Sequence, residues 1–149
     1  MSCRQKSVGI FLSLKAEKKR HKSMKGMVII MNDLKLCESD YRFMSVIWDS
    51  EPLSSRHLVE LCAERLNWKK ATTYTTLKKL CDKGFAKNEN TIVTSLVPRE
   101  NVQAFASEHF VSHTFGGSLP MFLVSFLGGK TITDEEAAEL KRLIDEHRG

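Results

Sequence analysis

From Ser39 onward the chain alternates between short amphipathic stretches and polar or glycine-containing breaks. Met44, Ile47 and Trp48 recur at helical spacing, with Phe43 and Val46 beside them. Ser39 is suited to cap this helix and Asp40 to its first turn. Asp49, Ser50, Glu51 and Pro52 break the pattern, and Ser54 or Ser55 opens a second helix with the stripe Leu58, Leu61, Cys62 and Leu66. A third begins near Ala71, turns Thr73, Thr76, Leu77 and Leu80 inward, and stops at Lys83 and Gly84, where glycine suits a left-handed cap. Phe85 to Lys87 and Ile92 to Val97 then read as two strands joined by the turn Asn88, Glu89, Asn90, Thr91. Three short helices followed by a hairpin form the winged helix-turn-helix layout.

Beyond Pro98 the pattern is helical again. Val102, Phe105, Ala106, His109, Phe110 and His113 lie along one side, up to Gly116 and Gly117. Ser118 and Pro120 start another helix, apolar almost all round from Met121 to Leu127. Thr133 and Glu136 form a capping box for a last helix carrying Ala137, Leu140, Leu143 and Ile144. Three helices this apolar have no core of their own large enough to cover them, so self-association is expected, through Phe105, Phe110, Phe115, Phe122, Phe126, Leu140, Leu143 and Ile144. The expected fold is therefore mainly α with a small β-hairpin: residues 1–31 a basic extension, 32–99 a winged helix-turn-helix domain, and 100–149 a helical dimerisation domain.

Charge sharpens this division. Residues 1–30 hold eight Lys/Arg against the single Glu17, which exceeds the net +5 of the whole chain, so the remainder is slightly acidic. Lys15 to Lys25 lacks apolar periodicity and reads as disordered. A start assigned too far upstream explains the same stretch, with Met31 as the authentic one. Within the rest, Arg65, Lys69, Lys70, Lys78, Lys79, Lys83 and Lys87 crowd one short segment opposed by Asp82, the footprint of a phosphate-binding face.

The third helix is the candidate for reading DNA. With its apolar face inward, Thr72, Thr75 and Lys79 point outward, flanked by Ala71, Tyr74 and Lys78, with Lys69 and Lys70 at its start. Threonine offers a base edge a hydroxyl and thymine a methyl, while lysine neutralises phosphate. In isolation such a helix is commonly just a solvated face; the three-helix-plus-hairpin context turns it into a candidate groove reader. Double-stranded DNA is accordingly the expected partner.

Leu36–Trp48 (LCESDYRFMSVIW), Trp68–Gly84 (WKKATTYTTLKKLCDKG) and Phe115–Phe126 (FGGSLPMFLVSF) together resemble the penicillinase-repressor family of bacterial transcriptional regulators, in order from about Met31 to the C-terminus. The resemblance implies a homodimer, with winged-helix heads on a palindromic operator, intertwined C-terminal helices, and repression by promoter occupancy. It also implies a sensor protein or regulatory protease as a partner. Cleavage in the family falls at an Asn-Phe bond that corresponds here to Ser125 and Phe126, so the asparagine is absent. Copper-responsive relatives carry C-terminal CxC motifs, whereas this chain has no cysteine after Cys81. Many relatives have Gly-Arg and aromatic residues in the wing, where this chain has Asn88, Glu89, Asn90 and Thr91; Glu89 repels phosphate, so a small wing contribution is expected.

Other chemistry finds little support. Cys3, Cys37, Cys62 and Cys81 are too scattered for a disulfide framework or thiolate zinc site, which fits a reducing cytoplasm. The basic N-terminus lacks a cleavage-site pattern, and the longest apolar run, Leu119 to Leu127, falls short of the roughly 18 residues of a membrane span. Gly117-Ser118-Leu119 is not a nucleophile elbow, because Pro120 replaces the second glycine. No nucleotide fingerprint or catalytic carboxylate pair is present, so neither an enzyme nor a cofactor is expected. Two further readings stay open: a winged-helix scaffold that docks protein partners without specific DNA binding, and a metal- or small-molecule-sensing regulator using His109 and His113.

Overall fold

The computed structural model describes residues 34–149. The basic extension and the alternative start at Met31 lie outside the described residues. The elements in chain order are α1 (Glu38–Ser50), β1 (Leu53–Ser54), α2 (Ser55–Leu66), α3 (Lys70–Asp82), β2 (Ala86–Glu89), β3 (Ile92–Ser95), α4 (Arg99–Phe115), α5 (Leu119–Leu127) and α6 (Asp134–Glu146). The chain is mainly helical with one small antiparallel sheet, as the pattern predicts. It divides into two packed units, one ending at Ser107 and the other Glu108–Gly149.

The first unit is built around the inward faces of three helices. α1 buries Phe43, Met44, Val46 and Ile47, α2 buries Leu58 and Cys62, and α3 buries Thr73, Thr76, Leu77 and Leu80. Phe43 stacks on Trp68 with ring centroids 5.7 Å apart, which seals the entry to α3. Ser54 caps α2 by accepting from the His57 N–H. Ser39, by contrast, does not cap α1: that helix starts two residues sooner than a Ser39 cap would place it, with Cys37 at the cap position and no side-chain capping bond there.

α3 ends in a Schellman motif. Gly84 has φ +84°, its N–H bonds the Cys81 carbonyl, and the Phe85 N–H bonds the Leu80 carbonyl. Phe85 is thereby delivered into the core, where it is fully buried. The left-handed Asn67 similarly turns the chain from α2 toward α3.

The sheet differs from the expected hairpin in two ways. Its strand order is β1-β3-β2, so a third strand, β1, pairs with β3 through Leu53↔Val93 and Ser54↔Ile92. The turn is also tighter: Asn88 and Glu89 belong to β2, opposite Val93 and Ile92, leaving Asn90 and Thr91 alone in the bend. Both have positive φ, 50° and 65°, the two-residue geometry that matches strand twist. The Thr91 carbonyl accepts from the Ser55 N–H at 2.8 Å.

The Trp48 indole donates to the Val97 carbonyl at 3.0 Å, tying α1 to the segment that follows β3. Arg99 stacks over the Trp48 ring and pairs with Asp49 at 2.5 Å. Asn101 and Val102 are buried and Phe105 packs on the same core, so the first turns of α4 complete this unit. The sequence boundary at 99/100 marks where α4 begins, whereas the packed unit runs on to Ser107.

The second unit is apolar but thin. Ser118 caps α5 through the Met121 N–H with Pro120 in the first turn, and Thr133 and Glu136 form the expected reciprocal capping box on α6. Phe110, Phe115 and Phe122 meet edge-on with centroids 5.6–6.1 Å apart, and Phe126 lies 5.7 Å from Phe122. Neither α5 nor α6 buries a single residue fully.

Two expectations follow for stability. An L-residue in the left-handed region costs about 1–2 kcal/mol, and the extra freedom of glycine in the unfolded chain offsets about 0.5–1 kcal/mol of the relief. Thr91→Gly is therefore expected to raise unfolding free energy by roughly 0.5–1 kcal/mol in urea titration; a loss would mean the threonine side chain stabilises the turn. The second concerns Cys62, whose thiol is pushed up from 9.0 by burial, against the opposing pull of the Thr73 hydroxyl and Arg65. A proton held more tightly in the folded state makes its contribution to stability complete below pH 9.0 and lost as pH rises beyond it. Cys62 should consequently resist thiol reagents at neutral pH while exposed Cys37 reacts, and stability should fall more steeply above pH 9.0 than in Cys62→Ala.

Candidate nucleic-acid interface

α3 forms because its inward stripe is apolar or hydroxyl-bearing and its outward residues are solvated. Thr73, mid-stripe, satisfies its buried hydroxyl by donating to the Lys69 carbonyl at 3.3 Å. The helix therefore presents its other face whole. Lys69, Lys70, Ala71, Thr72, Tyr74, Thr75, Lys78 and Lys79, the eight residues singled out from the sequence, are all exposed. Ala71, Thr75 and Lys78 follow one another at helical spacing along the centre of that face, with Thr72 and Lys79 on one flank and Tyr74 on the other. The Lys70 ammonium lies 6.0 Å from the Tyr74 ring centre.

The basic cluster is smaller than its sequence suggests. Arg65 pairs with Asp49 at 3.3 Å and Lys87 with Glu89 at 3.3 Å. Lys79 donates to Asp40 of α1 at 2.6 Å, and that carboxylate is only 5% exposed. Lys69, Lys70, Lys78 and Lys83 have no ion-pair partner among the described residues. Lys79 thus stands at the exposed face with its ammonium paired to a carboxylate of α1. The first-turn N–H groups of α3 also lack a capping side chain, since Lys69 occupies the cap position. An uncapped helix start between two lysines is electrostatically suited to an anion.

Asp40 is the residue that sequence reasoning missed. It was legible as a first-turn acid of α1, but its partner lies 39 residues away, and no local spacing announces that pairing. At the wing, Glu89 is held by Lys87, so its charge is offset within the same strand.

The apolar candidates fall in both units. Phe105 is half-buried and packs on the core of the first unit. Phe110, Phe126, Leu140 and Ile144 are exposed, and Phe115, Phe122 and Leu143 half-buried. α5 and α6 enclose an apolar groove of about 530 Å³ floored by Phe122, Phe126, Leu127 and Leu140. Ser125 and Phe126 are both exposed within α5. His109 and His113 stack with centroids 3.9 Å apart. Among the described residues no group of three or more His, Cys, Asp or Glu could share a metal ion. No single helix there is long and apolar enough to cross a membrane.

Comparison with known proteins gives the same direction. The chain is 23% identical over 117 residues to an uncharacterized 16.5 kDa protein of Latilactobacillus sakei, covering 76% of this chain and 80% of that one. It is 20% identical over 117 residues to the penicillinase repressor of Bacillus licheniformis, covering 76% of this chain and 91% of that protein. The family model for the penicillinase repressor matches residues 36–146, from the last residues before α1 to the end of α6. By that match over most of its length, the chain belongs to the penicillinase repressor family.

Proposed function

We propose that the protein is a homodimeric DNA-binding repressor that lays α3 of each copy in a major groove of a palindromic operator. Family membership supports transcriptional repression and DNA as the target. The observation that carries the reading is the exposed face of α3, where small hydroxyl side chains sit between an uncapped, lysine-flanked start and two further unpaired lysines. Thr72, Thr75 and Tyr74 read base edges in this scheme. Lys69, Lys70, Lys78 and Lys83 hold phosphates and set the salt dependence.

Dimerisation is supported by the second unit. Leu119, Met121, Val124 and Phe126 are each more than half exposed on one short helix, and a second copy removes that surface from water. Two heads joined this way meet half-sites about one helical turn, or a multiple of it, apart.

Two measurements test these halves separately. In a salt-titrated binding assay with DNA from upstream of its own gene and a scrambled duplex, Thr75→Ala should weaken operator binding by about 1–3 kcal/mol and leave the scrambled duplex unaffected. Lys78→Ala should weaken both and flatten the log K against log salt slope by about 0.9. Equal binding of both duplexes by the wild type would instead favour a winged-helix module that docks protein partners. For the second half, Val124→Asp is the cleaner probe, because Val124 is 75% exposed and takes no part in the phenylalanine cluster. Sedimentation should find this variant monomeric and folded, and an unchanged dimer would place the interface elsewhere.

A further inference from the structure

We propose that Asp40 acts through Lys79 as a positioning residue that withholds one positive charge from the DNA face, and so suppresses binding to DNA of arbitrary sequence relative to operator DNA. The inference rests on the reading of α3 as the DNA-contacting helix.

Lys79 follows directly after Lys78 and is 45% exposed, so its ammonium stands at the margin of the surface that the unpaired lysines share. Asp40 meets it at 2.6 Å from α1 while remaining 5% exposed itself. Asp40 also lies in the first turn of α1, where the helix dipole favours its negative charge. A phosphate approaching Lys79 therefore meets an ammonium already balanced by a carboxylate at contact distance. Counterion release follows the positive charge available to the phosphates, so a balanced lysine adds little to affinity that is blind to sequence. Burial keeps the carboxylate behind the ammonium, away from the phosphates themselves.

The pair retains a geometric role. It joins α3 to α1 across 39 residues of sequence and holds the reading face in place without drawing it toward every phosphate. Base-edge contacts from α3 depend on that placement, whereas attraction to any duplex depends on free charge. Replacing Asp40 by its amide separates the two effects, because an amide oxygen still accepts from the Lys79 ammonium but carries no charge.

The test uses the full chain in fluorescence-anisotropy titrations across a range of salt, with the upstream duplex and a scrambled one. Asp40→Asn is expected to bind the scrambled duplex several-fold more tightly at low salt, with a slope steeper by up to about 0.9. The preference for the upstream duplex should narrow. Asp40→Glu, which keeps the charge, should behave as wild type, and Asp40→Asn with Lys79→Met should return the slope to its wild-type value. Weaker binding of both duplexes by Asp40→Asn at an unchanged slope would overturn the inference and leave Asp40 a purely structural role, with DNA binding intact. Should Asp40→Asn fail to fold, Lys79→Met alone decides: a slope change well below 0.9 supports the inference, and loss of a full 0.9 overturns it. A wild type that binds neither duplex overturns the DNA reading and this inference together.

Discussion

The burial of one stripe of α3, through Thr73, Thr76, Leu77 and Leu80, is the constraint on which the rest of the first unit depends. A helix in so small a unit has only one face to give to the core, and that stripe fixes which residues remain outside. α1 and α2 supply the wall it packs on, Phe43 and Trp68 close its entry, and the Gly84 turn carries Phe85 beneath it. The stripe is not wholly apolar: Thr73 is accommodated because its hydroxyl is bonded to the helix's own backbone. The outward residues are thus displayed as a consequence of packing.

Much of this organisation is legible in the sequence because the signals are local. Periodicity finds all six described helices, and the Ser54, Ser118 and Thr133 caps follow from residue type and offset. β1 is not legible, since two residues have no period and Ser54 already reads as a cap. The turn is misjudged because Asn88, Glu89, Asn90 and Thr91 all look like turn formers, while cross-strand pairing recruits the first two into β2. Phe105 sits on a continuous helical stripe, and nothing in such a stripe marks where one packed unit ends.

The exposed face of α3 follows from the same local pattern, but its electrostatics do not. Seven cations crowd the segment in sequence, yet Arg65, Lys79 and Lys87 are each answered by an acid, two of them from α1. Counting charges along the chain overstates a basic surface wherever folding brings distant carboxylates to it. The second unit presents the converse case: its apolar excess is plain in the sequence and persists in the fold, since α5 and α6 bury no residue fully.

The bond between Thr91 and Ser55 bears on how this hairpin can vary. Wings are commonly thought of as appendages whose tips change length freely, since a loop tip usually touches nothing. Here the bend itself is fastened to the start of α2, and β1 runs alongside β3 up to that point. An inserted residue would have to detach the Thr91 carbonyl or shift the pairing of Ser54 with Ile92, and a one-residue shift turns a strand's side chains to the opposite face. Divergence at the tip is therefore channelled into residue identity at fixed length.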